Sequence, residues 1–260
     1  MSLRTDTTTH LPGRSTVTPS ASRLRALGAA AALLVLGTLA VPLVLAGVDL
    51  LAGTLGRGAD VALTYAVGGT LATLSLAAIA LVYLRLHPLA TPVRVPAGRE
   101  WAWVVVGIVV PLVGALVLQL AAVALGVGAG ETATSGIDRF AATNPLLFYS
   151  LAILSALFVV APAEELLYRG VVQGRLRENF GPAVAIGLTS LGFGAGHVVS
   201  YVIGGSDPLS GVVAVALGTI VLGGVVLGVL YERTRNLGVC IVAHGLLNAL
   251  VLTVSLAAVL

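Results

Sequence analysis

The sequence predicts an all-α polytopic membrane protein: a bundle of about seven to eight transmembrane helices with its polar site in the last four. Three observations carry that reading. Apolar residues fill 58% of the 260 positions and charged residues only 10%, against about 25% charged in an ordinary soluble domain. The mean hydropathy is +1.05. The apolar residues fall in long unbroken runs, and continuous rather than alternating runs indicate helical spans, not a β-barrel.

Taken in order, residues 1–22 are rich in Thr, Ser and Pro, a composition that predicts a disordered cytoplasmic tail. Residues 23–260 then form a single transmembrane helical domain, with a motif-bearing core over about 145–260. The first span, Leu24 to Val48, is too long for a signal-peptide core of about 7–15 residues. The next candidates are Val61–Leu86, Trp101–Val127 and Pro145–Glu178, the last with a break expected near Pro162. At 1.5 Å per residue this fourth helix would be about 51 Å long, so it must kink, tilt or project from the bilayer. Pro182–Ile203, Gly211–Tyr231 and Leu237–Leu260 complete a count of seven.

The net charge of +3 rests on arginine, since the chain has no lysine. The arginines read as topology signals rather than as a nucleic-acid patch. Arg4, Arg14, Arg23 and Arg25 precede the first span; Arg85, Arg94 and Arg99 lie around the loop between the second and third. Arg175 and Arg177 close the fourth, and Arg233 and Arg235 separate the sixth from the seventh. The alternate loops hold only Arg57 and Arg139, among Asp49, Asp60, Glu131, Asp138 and Asp207. The positive-inside rule then puts the N-terminus in the cytoplasm and the C-terminus outside, in a protein of the cell (plasma) membrane. The single cysteine, Cys240, lies in an apolar run, where it reads as a packing residue. Gly192/Gly196 and Gly224/Gly228 have the spacing of close helix contacts. No internal repeat marks the chain as an inverted-repeat transporter.

Charged groups within a span are costly and need partners or a wet cavity. Glu164 and Glu165 lie about 15 Å from the cytoplasmic end of their helix, counting 1.5 Å per residue. Glu165 and Arg169 are spaced i,i+4 with the acid first, the better order for an ion pair. That pairing leaves Glu164 free, on a face about 100° away. His197 lies about 22 Å in, His244 about 10 Å and Asn248 about 16 Å. Phe193 is one turn before His197 and on its face, where it would wall the site. Each polar residue alone could simply bond one helix to another. Together they put a carboxylate, two imidazoles and a carboxamide within one layer. Those groups can activate water and stabilise an oxyanion, with the site toward the cytoplasmic half. His10 and His87 fall in the tail and at a loop edge and read as solvated.

The ordered set Glu164-Glu165-Leu-Leu-Tyr-Arg169, Phe193-Gly-Ala-Gly-His197 and His244-Gly-Leu-Leu-Asn248 resembles the EExxxR, FxxxH and HxxxN motifs of the CPBP family. These are the CAAX proteases and bacteriocin-processing enzymes, also called Abi. The resemblance implies an intramembrane endopeptidase related to the type II CAAX prenyl endopeptidases, a group commonly labelled metalloproteases. It implies that Glu164 and His197 activate water and that His244 and Asn248 hold the oxyanion. Glu165 and Arg169 would orient the site or bind a substrate carboxylate. The expected partner is a peptide or protein substrate, prenylated or membrane-bound, in the lipid bilayer, with no nucleic acid. Two His and one carboxylate could hold zinc with an open position, which makes Glu164, His197 and His244 the candidate ligands. The set lacks HExxH, and an Asn suits an oxyanion hole better than zinc, so a metal-free mechanism is preferred. Two rivals share the residues: a non-catalytic scaffold or immunity factor on the same fold, and a proton-coupled transporter.

The orientation is open to a direct test. Reporter fusions after Arg99 and Arg177 should report cytoplasm, and fusions after Arg139 and Leu260 the outside. An external reading at Arg177 would reverse the assignment.

Overall fold

The computed structural model describes residues 19–55, 60–127 and 139–260. Seven of its helices are long and apolar enough to cross a membrane, and no strand occurs among the described residues. They are α1 (Pro19–Leu55), α2 (Val61–Leu86), α3 (Glu100–Ala124), α4 (Pro145–Arg177), α5 (Pro182–Gly204), α6 (Gly211–Thr234) and α7 (Leu237–Val259). The chain is an integral membrane protein of the expected all-α class, with seven such helices rather than eight among the described residues. The expected tail mostly falls on residues 1–18, outside the described residues. Its last four residues, 19–22, instead form the first turn of α1.

The helix boundaries follow from local chemistry. Asp60, Asn144, Ser210 and Asn236 cap α2, α4, α6 and α7, each side-chain oxygen accepting from a backbone N–H of the first turn. Pro145 and Pro182 open α4 and α5, where a missing N–H costs nothing. Gly205, at φ +88°, ends α5 in the left-handed conformation that glycine adopts freely.

The fourth helix departs from the expected break at Pro162. It continues through the proline, flanked by two π-helical stretches, Ala156–Val160 and Leu166–Gln173. Proline lacks an N–H and crowds the carbonyl four residues back; widening the preceding turn relieves that conflict without breaking the rod. π-turns within α-helices occur often at functional sites. Here they bracket Glu164 and Glu165.

Helix α4 lies at the centre, packed on α1, α2, α5, α6 and α7, while α3 packs on α6 and α7. One apolar cluster joins α1, α2, α4 and α5 through Leu33, Leu76, Leu167, Val171 and Phe193. A second joins α3, α6 and α7 through Val104, Leu227, Leu230 and Val239, and includes Cys240 as a buried packing residue. Leu36, Leu43, Leu116, Leu188 and Val254 point outward, as expected of a surface solvated by lipid tails.

The two GxxxG pairs do pack closely. Gly224 backs onto the Ser190 backbone and Gly228 onto Ile186, while Gly192 faces Leu34 and Gly196 the Tyr168 hydroxyl. At the arginine-rich end, the loop between α2 and α3 lies across the ends of α6 and α7. Leu237 N donates to Pro92 O at 2.8 Å and Arg94 N to Asn236 Oδ1 at 2.9 Å. The contact is tight enough that a Cβ on Gly238 would fall 1.9 Å from Arg94 O.

Gly238→Ala must therefore push the loop or the helix aside. Overpacking of this kind costs about 1–3 kcal/mol, so thermal unfolding in mild detergent should shift down clearly. Gly218→Ala is the control: its Cβ would meet nothing within 4 Å, and helix propensity favours Ala by up to about 1 kcal/mol. Equal behaviour of the two variants would refute the loop-docking account.

Candidate functional site

Helical geometry separates the two adjacent glutamates. Successive residues turn by about 100°, so Glu165 points into the contact with α6 and α7 while Glu164 faces a cavity. The Glu165 and Arg169 side chains are both 0% exposed, with Arg169 Nη1 donating to Glu165 Oε1 at 2.6 Å. The same Oε1 accepts from His244 Nδ1 at 2.7 Å. A carboxylate can only accept here, so Nδ1 carries the proton, and His244 Nε2 faces Glu164, at 3.7 Å from Oε2. That separation is too long for a hydrogen bond.

Arg169 is held on three sides. Besides Glu165, its Nη2 donates to Gly224 O at 3.2 Å, and its guanidinium lies 4.8 Å from the centroid of the Phe193 ring, within cation–π range. The Phe193 ring also meets His197, with centroids 4.7 Å apart, and His244 at 5.9 Å. His197 Nδ1 sits 2.8 Å from Phe193 O one turn back, which directs its second nitrogen away from its own helix.

Glu164, His197, His244 and Asn248 all line one cavity of about 420 Å³. Glu164 keeps 13% of its side chain exposed and His244 6%; Asn248 has no side-chain partner among the described residues. Phe193 and Tyr168 wall the cavity as well. The structure thus places the seven residues singled out from sequence in one region of the bundle, in two groups. Glu165 and Arg169 are buried and paired; Glu164, His197, His244 and Asn248 are presented to the cavity; Phe193 lies between.

The candidate zinc set does not come together as a ligand set. Among the described residues, no three His, Cys, Asp or Glu side chains are placed to hold one ion. His244 has Nδ1 on Glu165 and Nε2 open to the cavity, an arrangement that a metal-bound histidine also commonly shows. As placed, the three side chains do not close on one ion, although Glu164, His197 and His244 Nε2 face the same cavity.

Two features escaped the sequence reading. The first continues the Glu165–Arg169 pair along α4. Gln173 Nε2 donates to Gly228 O at 3.1 Å, and Arg177 Nε to Glu232 Oε1 at 2.7 Å. Residues 165, 169, 173 and 177 are four apart, so they lie on one face and descend α6 from Gly224 to Glu232. The polar i,i+4 spacing was visible in the sequence, but its partners are mostly backbone carbonyls, which leave no signature. The second is the far wall of the cavity. Thr38 of α1 and Thr70 and Thr73 of α2 line it, from spans that carry no motif.

With this geometry in view, residues 146–250 match the family model for the type II CAAX prenyl endopeptidases, described as Rce1-like. The match spans all three motifs. No curated protein and no solved structure matches the chain.

The buried pair should be structural first. Removing one partner of a buried ion pair costs about 3–5 kcal/mol, because the other charge is left uncompensated. Arg169→Ala should lower the thermal stability and folded yield in mild detergent, and Arg169→Lys should recover only part of it, since one ammonium cannot reach Glu165 and Gly224 as the forked guanidinium does. Normal stability of Arg169→Ala would instead point to substrate binding.

Proposed function

We propose that the chain, whose residues 146–250 match the type II CAAX prenyl endopeptidase Rce1-like family model, is an intramembrane endopeptidase that hydrolyses a peptide bond without a metal. One observation supports this most: Glu164, His197, His244 and Asn248, drawn from all three motifs, line one mainly apolar cavity. Phe193 O and Glu165 fix the orientation of His197 and His244.

Glu164 is the general base. It takes a proton from water as the water oxygen attacks the carbonyl carbon, and later returns a proton to the leaving amine. His197 orients that water with the ring nitrogen not directed at Phe193 O. Asn248 Nδ2 donates to the oxyanion that forms on the carbonyl oxygen. His244 lies beside the same oxyanion with Nε2, while Nδ1–H stays on Glu165. Glu165 and Arg169 are positioning residues: Glu165 holds His244 at 2.7 Å, Arg169 holds Glu165, and neither meets solvent. Donors fixed in a dry site stabilise developing charge far better than donors that must reorganise. On the arginine distribution, the N-terminus lies in the cytoplasm of a cell-membrane protein, with the reacting groups toward the cytoplasmic half.

The test uses a peptide or protein substrate cleaved by the purified chain. Glu164→Gln keeps the shape and removes the base, so turnover should fall by about 10²–10⁴. Asn248→Ala should cost about 10²–10³. Both should unfold at the parent temperature. Activity should survive exhaustive chelation. Cleavage by Glu164→Gln at the parent rate, or loss on chelation with rescue by zinc, would overturn this mechanism. A scaffold or a transporter would show no cleavage at all.

A further inference from the structure

The cavity has a direction. Among the described residues, its lining extends from the level of the motif residues only toward the end of the bundle away from the arginine-rich loops. Helix α4 lines it from Phe148 to Tyr168 and contributes nothing beyond Arg169. Helix α5 lines it from Phe193 to Ile203, and α7 from His244 to Leu252, again with nothing nearer their arginine-side ends. Helix α2, which runs the other way, lines it from Tyr65 to Leu76.

The opposite side is filled. Every residue of α4 from Leu167 to Gln173 is buried. Arg169, Gln173 and Arg177 tie α4 to α6 there. Below them the loop between α2 and α3 closes on α4: a Cβ on Gly170 would meet Thr91 at 3.2 Å, and one on Gly174 would meet Leu89 at 3.6 Å. Tyr231 and Asn236 bond the same loop from α6 and α7.

The wall suits a polypeptide in lipid rather than a hydrated tail. It is mainly aliphatic and aromatic, with hydroxyls at intervals: Thr38, Thr70, Thr73, Ser155, Ser200 and Thr219. Thr70 Oγ1 donates to Ser155 Oγ at 2.9 Å across α2 and α4. An extended segment there can bury apolar side chains while hydroxyls meet the backbone groups freed at the cut site, groups that hydrocarbon would leave unsatisfied. The volume of about 420 Å³ lies within the range of ligand pockets, about 300–1,000 Å³.

We infer that substrate reaches the site from the half of the membrane opposite the arginine-rich loops. The occupant is an apolar, membrane-inserted polypeptide segment rather than a soluble tail on the arginine side. The nature of the occupant rests on the protease reading; the direction of access does not. With the positive-inside orientation, that half is the outer one.

The experiment separates the two. Cys240 is the one cysteine and is buried, so Cys240→Ser gives a thiol-free background. Single substitutions Ala152→Cys and Ser200→Cys then report the cavity. Arg99→Cys marks the arginine side and Leu209→Cys the other, since both positions are exposed. A small membrane-impermeant thiol reagent is applied to sealed vesicles of each orientation. The cavity cysteines should react from the Leu209 side and not from the Arg99 side. Reaction from the Arg99 side, or from neither, overturns the access route. Adding Glu164→Gln should leave the labelling unchanged.

New protein termini are then mapped in cells producing the parent or Glu164→Gln. They should fall within apolar membrane segments, in the half away from the arginine side. Termini confined to soluble arginine-side tails would overturn the occupant. No new termini, together with the expected labelling, would sink the protease reading while leaving the access route standing.

Discussion

The organising constraint is the charge pair Glu165–Arg169, fully buried in the centre of the bundle. Two ions removed from water need close polar partners to offset their lost hydration. Glu165 recruits His244, and Arg169 recruits Gly224 O and the face of Phe193. Those partners lie on α5, α6 and α7, so satisfying one ion pair on α4 draws the last four helices together. The same requirement orients the site. A histidine whose Nδ1 is taken by Glu165 has one free nitrogen, and the packing aims it at Glu164. Two adjacent glutamates of identical chemistry thereby acquire different surroundings, one dry and paired, the other open to a cavity.

Glycine makes the arrangement possible at its second edge. Arg169 and Gln173 donate to the carbonyls of Gly224 and Gly228, residues that would otherwise carry side chains between α6 and its neighbours. The Ser190 backbone lies 3.2 Å from where a Gly224 Cβ would stand. Helices in lipid gain little from hydrophobic association and rely on close packing and interhelical hydrogen bonds. The GxxxG pair on α6 supplies both. The polar face of α4 and the loop beyond it fill the arginine-rich end, while the cavity occupies the remaining space toward the other end. The filled end and the position of the cavity follow from one set of contacts.

Much of the fold was legible in the chain. The span boundaries depend on hydropathy, caps and prolines, all local properties, and they agree with the structure within a few residues except at the start and end of α1. The extra length of α1 and the unbroken path through Pro162 were not legible. Helix propensity does not stop at the membrane boundary, and a helix can absorb a proline by π-turns when its neighbours hold it in place. The candidate residues were found because charge and imidazole are conspicuous in an apolar chain. Gln173 and the threonines of α1 and α2 were missed because such residues are common in spans and bond mostly to backbone.

The sequence by itself determined the class, the count of apolar helices, the Glu165–Arg169 pairing and the identity of the polar groups, because each follows from composition or from spacing within one helix. Only the tertiary structure decided that Glu165 also holds His244, that Glu164 faces a cavity with His197 and Asn248, and toward which end the cavity runs. These are relations between helices far apart in the chain. They are set by which small residues permit close approach and which buried donors must find an acceptor, and no periodicity within a single helix encodes them.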